Sequence, residues 1–393
     1  MFLKRFFYFC RLKQVWIPVA VGILISLLSN LMGWDIAAQE VFYDAEEDRW
    51  TGQDMQTMVW LYLNGVKPAI GIALFGASIF LLGFNVQRLR IYRRVALFLL
   101  LVLVIGNGLV ANAILKEYWG RPRPSQVNQF GGTQAFEPSL WIHTESSGKS
   151  FPSGHATMGF YFFALALLLR GKARLAVFAF TIAFGSIIGL SRISYGGHFF
   201  TDVVWAGIIM WLISLGFYRF MEIEQNWRYE RPQASNFELT PWQKVRGRIL
   251  VPLATVAILG AATRFPRDKS DHLTVDFQGQ ESVQIELERL KGDIKIATGA
   301  EELRMMTHCQ GFGLPKTRLR LKSDCEIEEH SINLSVRHHV QGFFTELRAT
   351  TRIELPNGAH YILEFDPEKI SWISIDGELV QLTGDGLVNL DLR

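Results

Sequence analysis

Three short polar clusters interrupt long apolar blocks in this chain, and their residue types suit the handling of a phosphate. They are Lys116 with Arg123 and Pro124, then Pro152-Ser153-Gly154-His155, then Ser191-Arg192 with His198 and Asp202. Lys116, Arg123 and Arg192 suit a dianionic phosphate, the guanidiniums as planar forks and the lysine as a point charge. Ser153, Gly154 and the first amides of a helix beginning there add neutral donors and a positive dipole end. Such a cradle would stabilise the equatorial oxygens of a phosphoryl group in transfer. His198 and Asp202 are the expected nucleophile and its orienter, because a carboxylate bonded to one ring nitrogen fixes the tautomer and turns the other nitrogen to phosphorus. His155 is then the acid for a departing alkoxide and afterwards the base for water. A His-Asp metal site competes with this reading, but one carboxylate among three cations opposes a divalent ion. No metal and no other cofactor is expected. Taken singly, each cluster has a plainer account: snorkelling cations, a helix start, and an i, i+4 pair.

What joins the clusters is the set of elements that must carry them. Of the 393 residues 49% are hydrophobic, bunched near 15 to 34, 66 to 85, 95 to 115, 155 to 169, 174 to 191 and 199 to 219, with a seventh candidate at 249 to 263. Several of these blocks are long enough to cross a bilayer as helices. Basic residues alternate by side: the N-terminus, then Arg88 to Arg94, then Arg170 to Arg174, then Arg219 to Arg248. The positive-inside rule assigns these four groups to the cytoplasm and all three polar clusters to the opposite face. Trp16, Trp34, Trp60, Trp205 and Trp211 lie near span ends, where indoles favour the interface. A net charge of +3 without a basic stripe gives no support to nucleic-acid binding. The bilayer and a lipid phosphate are the expected partners.

The clusters, in this order and spacing, resemble the type 2 phosphatidic acid phosphatase superfamily: Lys, six residues, Arg-Pro; Pro-Ser-Gly-His; Ser-Arg, five residues, His, three residues, Asp. The resemblance covers residues 66 to 220. It implies a six-helix membrane core and a covalent phosphohistidine on His198, with Asp202 as its partner and His155 as acid. Lys116, Arg123, Ser153, Gly154 and Arg192 become phosphate ligands, and Arg121 a supporting charge beside the arginine that the spacing selects. It further implies lipid phosphatase activity on lipid A or another glycolipid phosphate, undecaprenyl pyrophosphate, or phosphatidic acid and phosphatidylglycerophosphate. A lipid-to-lipid phosphotransferase using the same site is one alternative, and a non-catalytic membrane scaffold another. The implied location is the bacterial cytoplasmic membrane, multi-pass, with the site facing the periplasm. The connector 125 to 151 is long for a simple link and is expected to shape head-group choice.

After Arg264 short alternating runs such as Ser282-Val-Gln-Ile-Glu-Leu and Ile332-Asn-Leu-Ser-Val, separated by Gly-Asp and Asn-Gly turns, read as strands. The whole is therefore expected to be an all-α membrane helical bundle with a C-terminal β-rich soluble domain. Residues 1–65 form an N-terminal transmembrane helix and acidic outer loop, 66–220 the core, 221–264 a cytoplasmic linker and seventh span, and 265–393 a sandwich or small solenoid. With the seventh span in place that domain is extracytoplasmic, where Cys309 and Cys325 are candidates for a disulfide. Two separate thiols is the competing account.

Overall fold

The computed structural model describes residues 12–224 apart from 47, 85 and 143–147, the single positions 245, 249 and 253, and residues 265–393 apart from 278–279, 289–291, 314–317, 328–330, 342–343, 368 and 381–385. It divides into two compact units, Met1–Thr263 and Arg264–Arg393. Cys10 and nearly all of the expected seventh span, 249 to 263, lie outside the described residues.

In the first unit, helix α1 (Lys13–Met32) ends at Gly33, whose φ of 69° admits a left-handed turn that turns the chain at once into α2 (Trp34–Glu40). A small ribbon of β1 (Tyr43–Asp44) and β2 (Arg49–Trp50) follows. Helices α3 (Gln56–Asn64) and α4 (Lys67–Leu82) make one apolar stretch, Gln56–Leu82, so the second span begins well before the expected residue 66. Helix α5 (Arg93–Leu101) continues through a π-wound segment, Val102–Leu115, to Lys116–Tyr118. Then come α6 (Gly154–Phe160), α7 (Phe163–Leu168), α8 (Gly171–Ile193) and α9 (Phe200–Phe220).

Five helices among the described residues are long and apolar enough to cross a membrane, and the apolar helix Gly154–Leu168 is shorter. Its first half is buried from His155 to Phe160, enclosed by α8, α9 and the π-wound segment. A Cβ on Gly159 would come within 2.7 Å of the Gly185 Cα, so glycine facing glycine is what lets α6 and α8 close on each other. Two of the indoles near span ends join helices: Trp205 donates to the Ser26 hydroxyl at 2.9 Å and Trp211 to the Gln14 carbonyl at 2.7 Å, tying α1 to α9.

The second unit is a two-sheet sandwich. One sheet has the order β13-β10-β4-β8-β7 and the other β12-β11-β5-β9-β6-β3. These are β3 (Phe265–Val275), β4 (Ser282–Glu288), β5 (Gly292–Ala300), β6 (Leu303–Gly313), β7 (Arg318–Ile327), β8 (Ser331–Gln341), β9 (Phe344–Pro356), β10 (His360–Phe365), β11 (Ile370–Ile375), β12 (Glu378–Val380) and β13 (Leu387–Asp391). The centre of each sheet is parallel, β10-β4-β8 in one and β11-β5-β9 in the other. The pairs β4–β5, β8–β9 and β10–β11 therefore stack as three solenoid-like coils, and the antiparallel strands β12 and β13 at one end and β3, β6 and β7 at the other flank them. The alternating apolar residues of those strands, including Val283, Ile285, Ile294, Ile353 and Leu363, meet in the core. Cys309 is buried in that core and Cys325 sits half-buried on the other sheet; both are free thiols, so the expected disulfide is not formed. Packing determined their positions separately, one in each layer.

Candidate active site

The turn between α8 and α9 carries the third cluster. Arg192 sits in the last turn of α8 and Asp202 in the first turn of α9, where its carboxylate accepts the Phe199 N–H at 2.8 Å, an acidic residue at the favourable end of the helix. Gly196 takes a φ of 61°, and a Cβ on Gly197 would lie 2.4 Å from Arg192 Nη2, so the guanidinium lies directly against the turn. The other two clusters dock on this turn through backbone: the Ser125 N–H donates to the Gly196 carbonyl at 3.1 Å and the Ser153 N–H to the Asp202 carbonyl at 3.3 Å. The structure thus brings all three clusters to one place.

His198 is buried, and its Nδ1 lies 2.5 Å from the Ser150 carbonyl oxygen. A carbonyl only accepts, so Nδ1 bears the hydrogen and Nε2 carries the lone pair. The expected hydrogen bond from this ring to Asp202 is absent: Oδ2 stands 3.9 Å from Nδ1, too far for one. Ser150 occupies the space between. Its carbonyl receives the ring N–H, its hydroxyl donates to Asp202 Oδ2 at 2.6 Å, and its own N–H is anchored on the Arg121 carbonyl at 2.9 Å. Burial, then the charges of Arg192, Lys116 and Arg123, hold the imidazole well below its ordinary pKa, against the opposing Ser150 bond. The His198 ring is accordingly held toward its neutral form in a single tautomer.

Arg121 is wholly buried and its guanidinium is taken up by groups of the protein, Asp202 among them. Its Nη1 donates to Asp202 Oδ1 at 2.5 Å and to the Thr201 hydroxyl at 2.9 Å, its Nη2 to Asp35 Oδ2 at 2.8 Å, and its Nε to the Glu137 carbonyl at 2.8 Å. The ring of Phe199 covers it, 4.4 Å from the guanidinium carbon. Burial lowers its pKa, but the two carboxylates outweigh burial and raise it. Asp35 and Gln39, both on α2, also bond the His198 turn.

Three further cations act on the histidines. Lys116, Arg123 and Arg192 are all buried, and all three act electrostatically on both His155 and His198. The Arg192 guanidinium lies over Tyr62 at 4.5 Å and Tyr195 at 5.6 Å, and its Nε and Nη1 have no hydrogen-bond partner among the described residues. Two buried donors of a permanent cation facing a cluster of positive charge are what a tetrahedral oxyanion would satisfy. His155 stacks on Tyr62 at 4.8 Å and its Nε2 lies 3.2 Å from the Tyr62 carbonyl, which assigns the hydrogen to Nε2 and proton exchange to Nδ1. Ser153 caps α6, and Gly154 is required by its neighbour, since a Cβ there would fall 2.6 Å from Asn112 Oδ1. Asn112 is held in turn by Asn107, which also accepts from Thr157.

Ser150, Tyr62, Asp35 and Gln39 have no place in the three clusters. Sequence reasoning missed all four; the one signal that could have found Asp35 and Gln39 is their i, i+4 spacing directly after Gly33, and for Ser150 and Tyr62 the sequence carried none. From the 125–151 connector the Glu137 carbonyl accepts from Arg121 Nε at 2.8 Å and Lys149 pairs with Glu117 at the surface, while 143–147 lie outside the described residues.

A family model described as the PAP2 superfamily matches residues 95–225. The chain is 42% identical over 132 residues to a lipid A 4'-phosphatase of Francisella tularensis subsp. novicida, an alignment covering 33% of this chain and 60% of that protein's length. It is 31% identical over 169 residues to phosphatidylglycerophosphatase B of Bacillus subtilis, covering 40% of this chain and 75% of the relative. A crystal structure of a transmembrane PAP2-type phosphatidylglycerolphosphate phosphatase from Bacillus subtilis aligns with 56% of this chain and 100% of its own, at 22% identity and a TM-score of 0.37.

Proposed function

The chain belongs to the PAP2 superfamily, and on that premise we propose that it is an integral membrane phosphatase that removes phosphate from a lipid by way of a phosphohistidine. The observation that carries the reading is His198: a buried ring with Nδ1–H bonded to the Ser150 carbonyl, so that Nε2 presents its lone pair among three cations. In the first step His155 enters as the imidazolium, its second proton on Nδ1 taken up as the bound phosphate dianion offsets the surrounding cations; Nε2 of His198 attacks phosphorus, the P–O bond to the lipid breaks, and His155 passes that Nδ1 proton to the departing oxygen. Arg192, Lys116 and Arg123 neutralise the charge on the equatorial oxygens. In the second step His155 takes a proton from water, the oxygen attacks phosphorus, and the N–P bond breaks to release orthophosphate. Asp202 stabilises the positive charge that develops on the His198 ring, through Ser150 and across the short gap.

Among substrates we favour a lipid A-type glycolipid phosphate, because the 42% identical relative is named for that activity; phosphatidylglycerophosphate is the next candidate. We place six spans in the core, with the site and the β unit on the periplasmic face of the bacterial inner membrane, from the alternation of loop charge. The test is a panel of lipid A, phosphatidylglycerophosphate and phosphatidic acid in mixed micelles with purified full-length protein. Orthophosphate should appear in step with substrate loss, and His198→Ala should abolish it. Phosphate appearing on a second lipid would make the enzyme a transferase. Unchanged turnover by His198→Ala would overturn the phosphohistidine.

A further inference from the structure

In-line attack requires His198 Nε2 to be held to a fraction of an ångström, and part of that hold comes from α2, outside the matched segment 95–225. Asp35 and Gln39 stand one turn apart on α2, 3% and 0% exposed. The Gln39 side-chain amide donates to the main-chain carbonyl of His198 itself at 2.9 Å. Asp35 Oδ1 accepts the Thr201 N–H at 2.9 Å, and its Oδ2 accepts both the Thr201 hydroxyl at 2.7 Å and Arg121 Nη2 at 2.8 Å. These two side chains therefore bracket the segment 198–202 at both ends. Arg121, shared between Asp35 and Asp202, couples that bracket to the carboxylate beside the nucleophile. A buried carboxylate and a buried amide are costly groups for packing alone, since apolar residues would fill the same space without desolvation.

We propose that Asp35 and Gln39 are positioning residues: α2, set by the turn at Gly33, acts as a splint that holds the His198 backbone and the first turn of α9 in attacking geometry. The proposal rests on the phosphohistidine reading. Neither residue is among the phosphate-binding groups, so loosening the splint leaves capture of the phosphate by Lys116, Arg123 and Arg192 intact and slows only the attack. A displacement of about 1 Å costs on the order of 10²-fold in rate.

The experiment compares wild type, Asp35→Asn, Gln39→Ala, Gln39→Glu and His198→Ala as full-length proteins in mixed micelles. The substrate is whichever of lipid A, phosphatidylglycerophosphate or phosphatidic acid wild type turns over fastest. Asp35→Asn and Gln39→Ala should lower kcat by at least about tenfold with KM within about twofold. Gln39→Glu supplies a readout that lost stability would not mimic. A protonated carboxyl donates its O–H to the His198 carbonyl and an ionised one repels it, so the rate of Gln39→Glu relative to wild type should rise as pH falls from about 8 to about 5.5, while the ratio for Gln39→Ala stays flat. That ratio is read on a single folded sample, so it stands even where Gln39→Ala fails to fold. Inactive His198→Ala alongside Asp35→Asn and Gln39→Ala within about twofold of wild type would overturn the splint, as would a pH-independent Gln39→Glu ratio. An active His198→Ala, or a wild type inert on all three lipids, would instead overturn the reading on which the proposal rests.

Discussion

Ser150→Ala separates two functions that the structure assigns to one residue. The substitution deletes the hydroxyl that donates to Asp202 Oδ2 at 2.6 Å and keeps the carbonyl that receives the His198 ring N–H at 2.5 Å. A hydrogen bond to a charged acceptor contributes about 1.5–3 kcal/mol. Asp202 is not orphaned by the loss, because Oδ2 keeps the Phe199 N–H and Oδ1 keeps Arg121. The lower end of the range, about 1.5 kcal/mol, is therefore the appropriate figure, and expressed in the transition state it amounts to about tenfold in kcat. KM should stay within about twofold, since Lys116, Arg123 and Arg192 are untouched. The assay is initial-rate orthophosphate release from a lipid phosphate in mixed micelles, with Asp202→Ala as the comparison. An unaltered kcat would show that Ser150 does not link Asp202 to the nucleophile. A loss as deep as that of Asp202→Ala would refute the argument that Arg121 and Phe199 keep the carboxylate in place without the serine.

Three further outcomes are expected. The folded-state pKa of His198 lies below its unfolded value of about 6.5, so its contribution to stability is complete above that pH and is lost as pH falls through the folded value. The Tm of wild type relative to His198→Gln should accordingly drop on acidification below about pH 6.5, and a flat difference would contradict the burial-driven shift. Gly197→Ala places a methyl 2.4 Å from Arg192 Nη2; the atom that must give way is the far end of a flexible side chain, so the guanidinium is displaced at little cost to the fold, and kcat/KM should fall by roughly tenfold or more while Tm shifts little. In native protein a maleimide should label Cys325 well before Cys309, whose thiol burial pushes up to about 12. Peptide mapping reads the order, and reductant should leave Tm unchanged because the two thiols are not bonded.

The histidines, the three cations and the capping serine could be singled out as one set from residue type and spacing, and the fold brings together the three clusters that hold them; apolar length located the spans but not their number, since among the described residues the helix Gly154–Leu168 is shorter than the five long enough to cross a membrane. The β character of the second unit was legible for a similar reason, a period of two in short runs. Its stacked parallel coils were not, since which strands pair depends on contacts far apart along the chain, such as Ile285 with Leu363 and with Leu334.

The roles of individual atoms belonged to the tertiary structure. An i, i+4 spacing brings Asp202 toward His198 on any helix, but His198 precedes α9 and only Asp202 lies within it, so their separation is set by the turn and Ser150 fills the gap. Arg121 and Arg123 are indistinguishable by type; the fold turns the first onto Asp35 and Asp202. Asp35 and Gln39 lie more than 150 residues from the segment they hold, 159 from His198 for Gln39. By itself the sequence determined the residue types of the three polar clusters and the apolar spans that carry them, because both follow from composition and local spacing. Which carboxylate, carbonyl or guanidinium meets which ring nitrogen was decided only by the fold, because an unpaired buried polar group is costly and tertiary packing alone sets which partners come within reach.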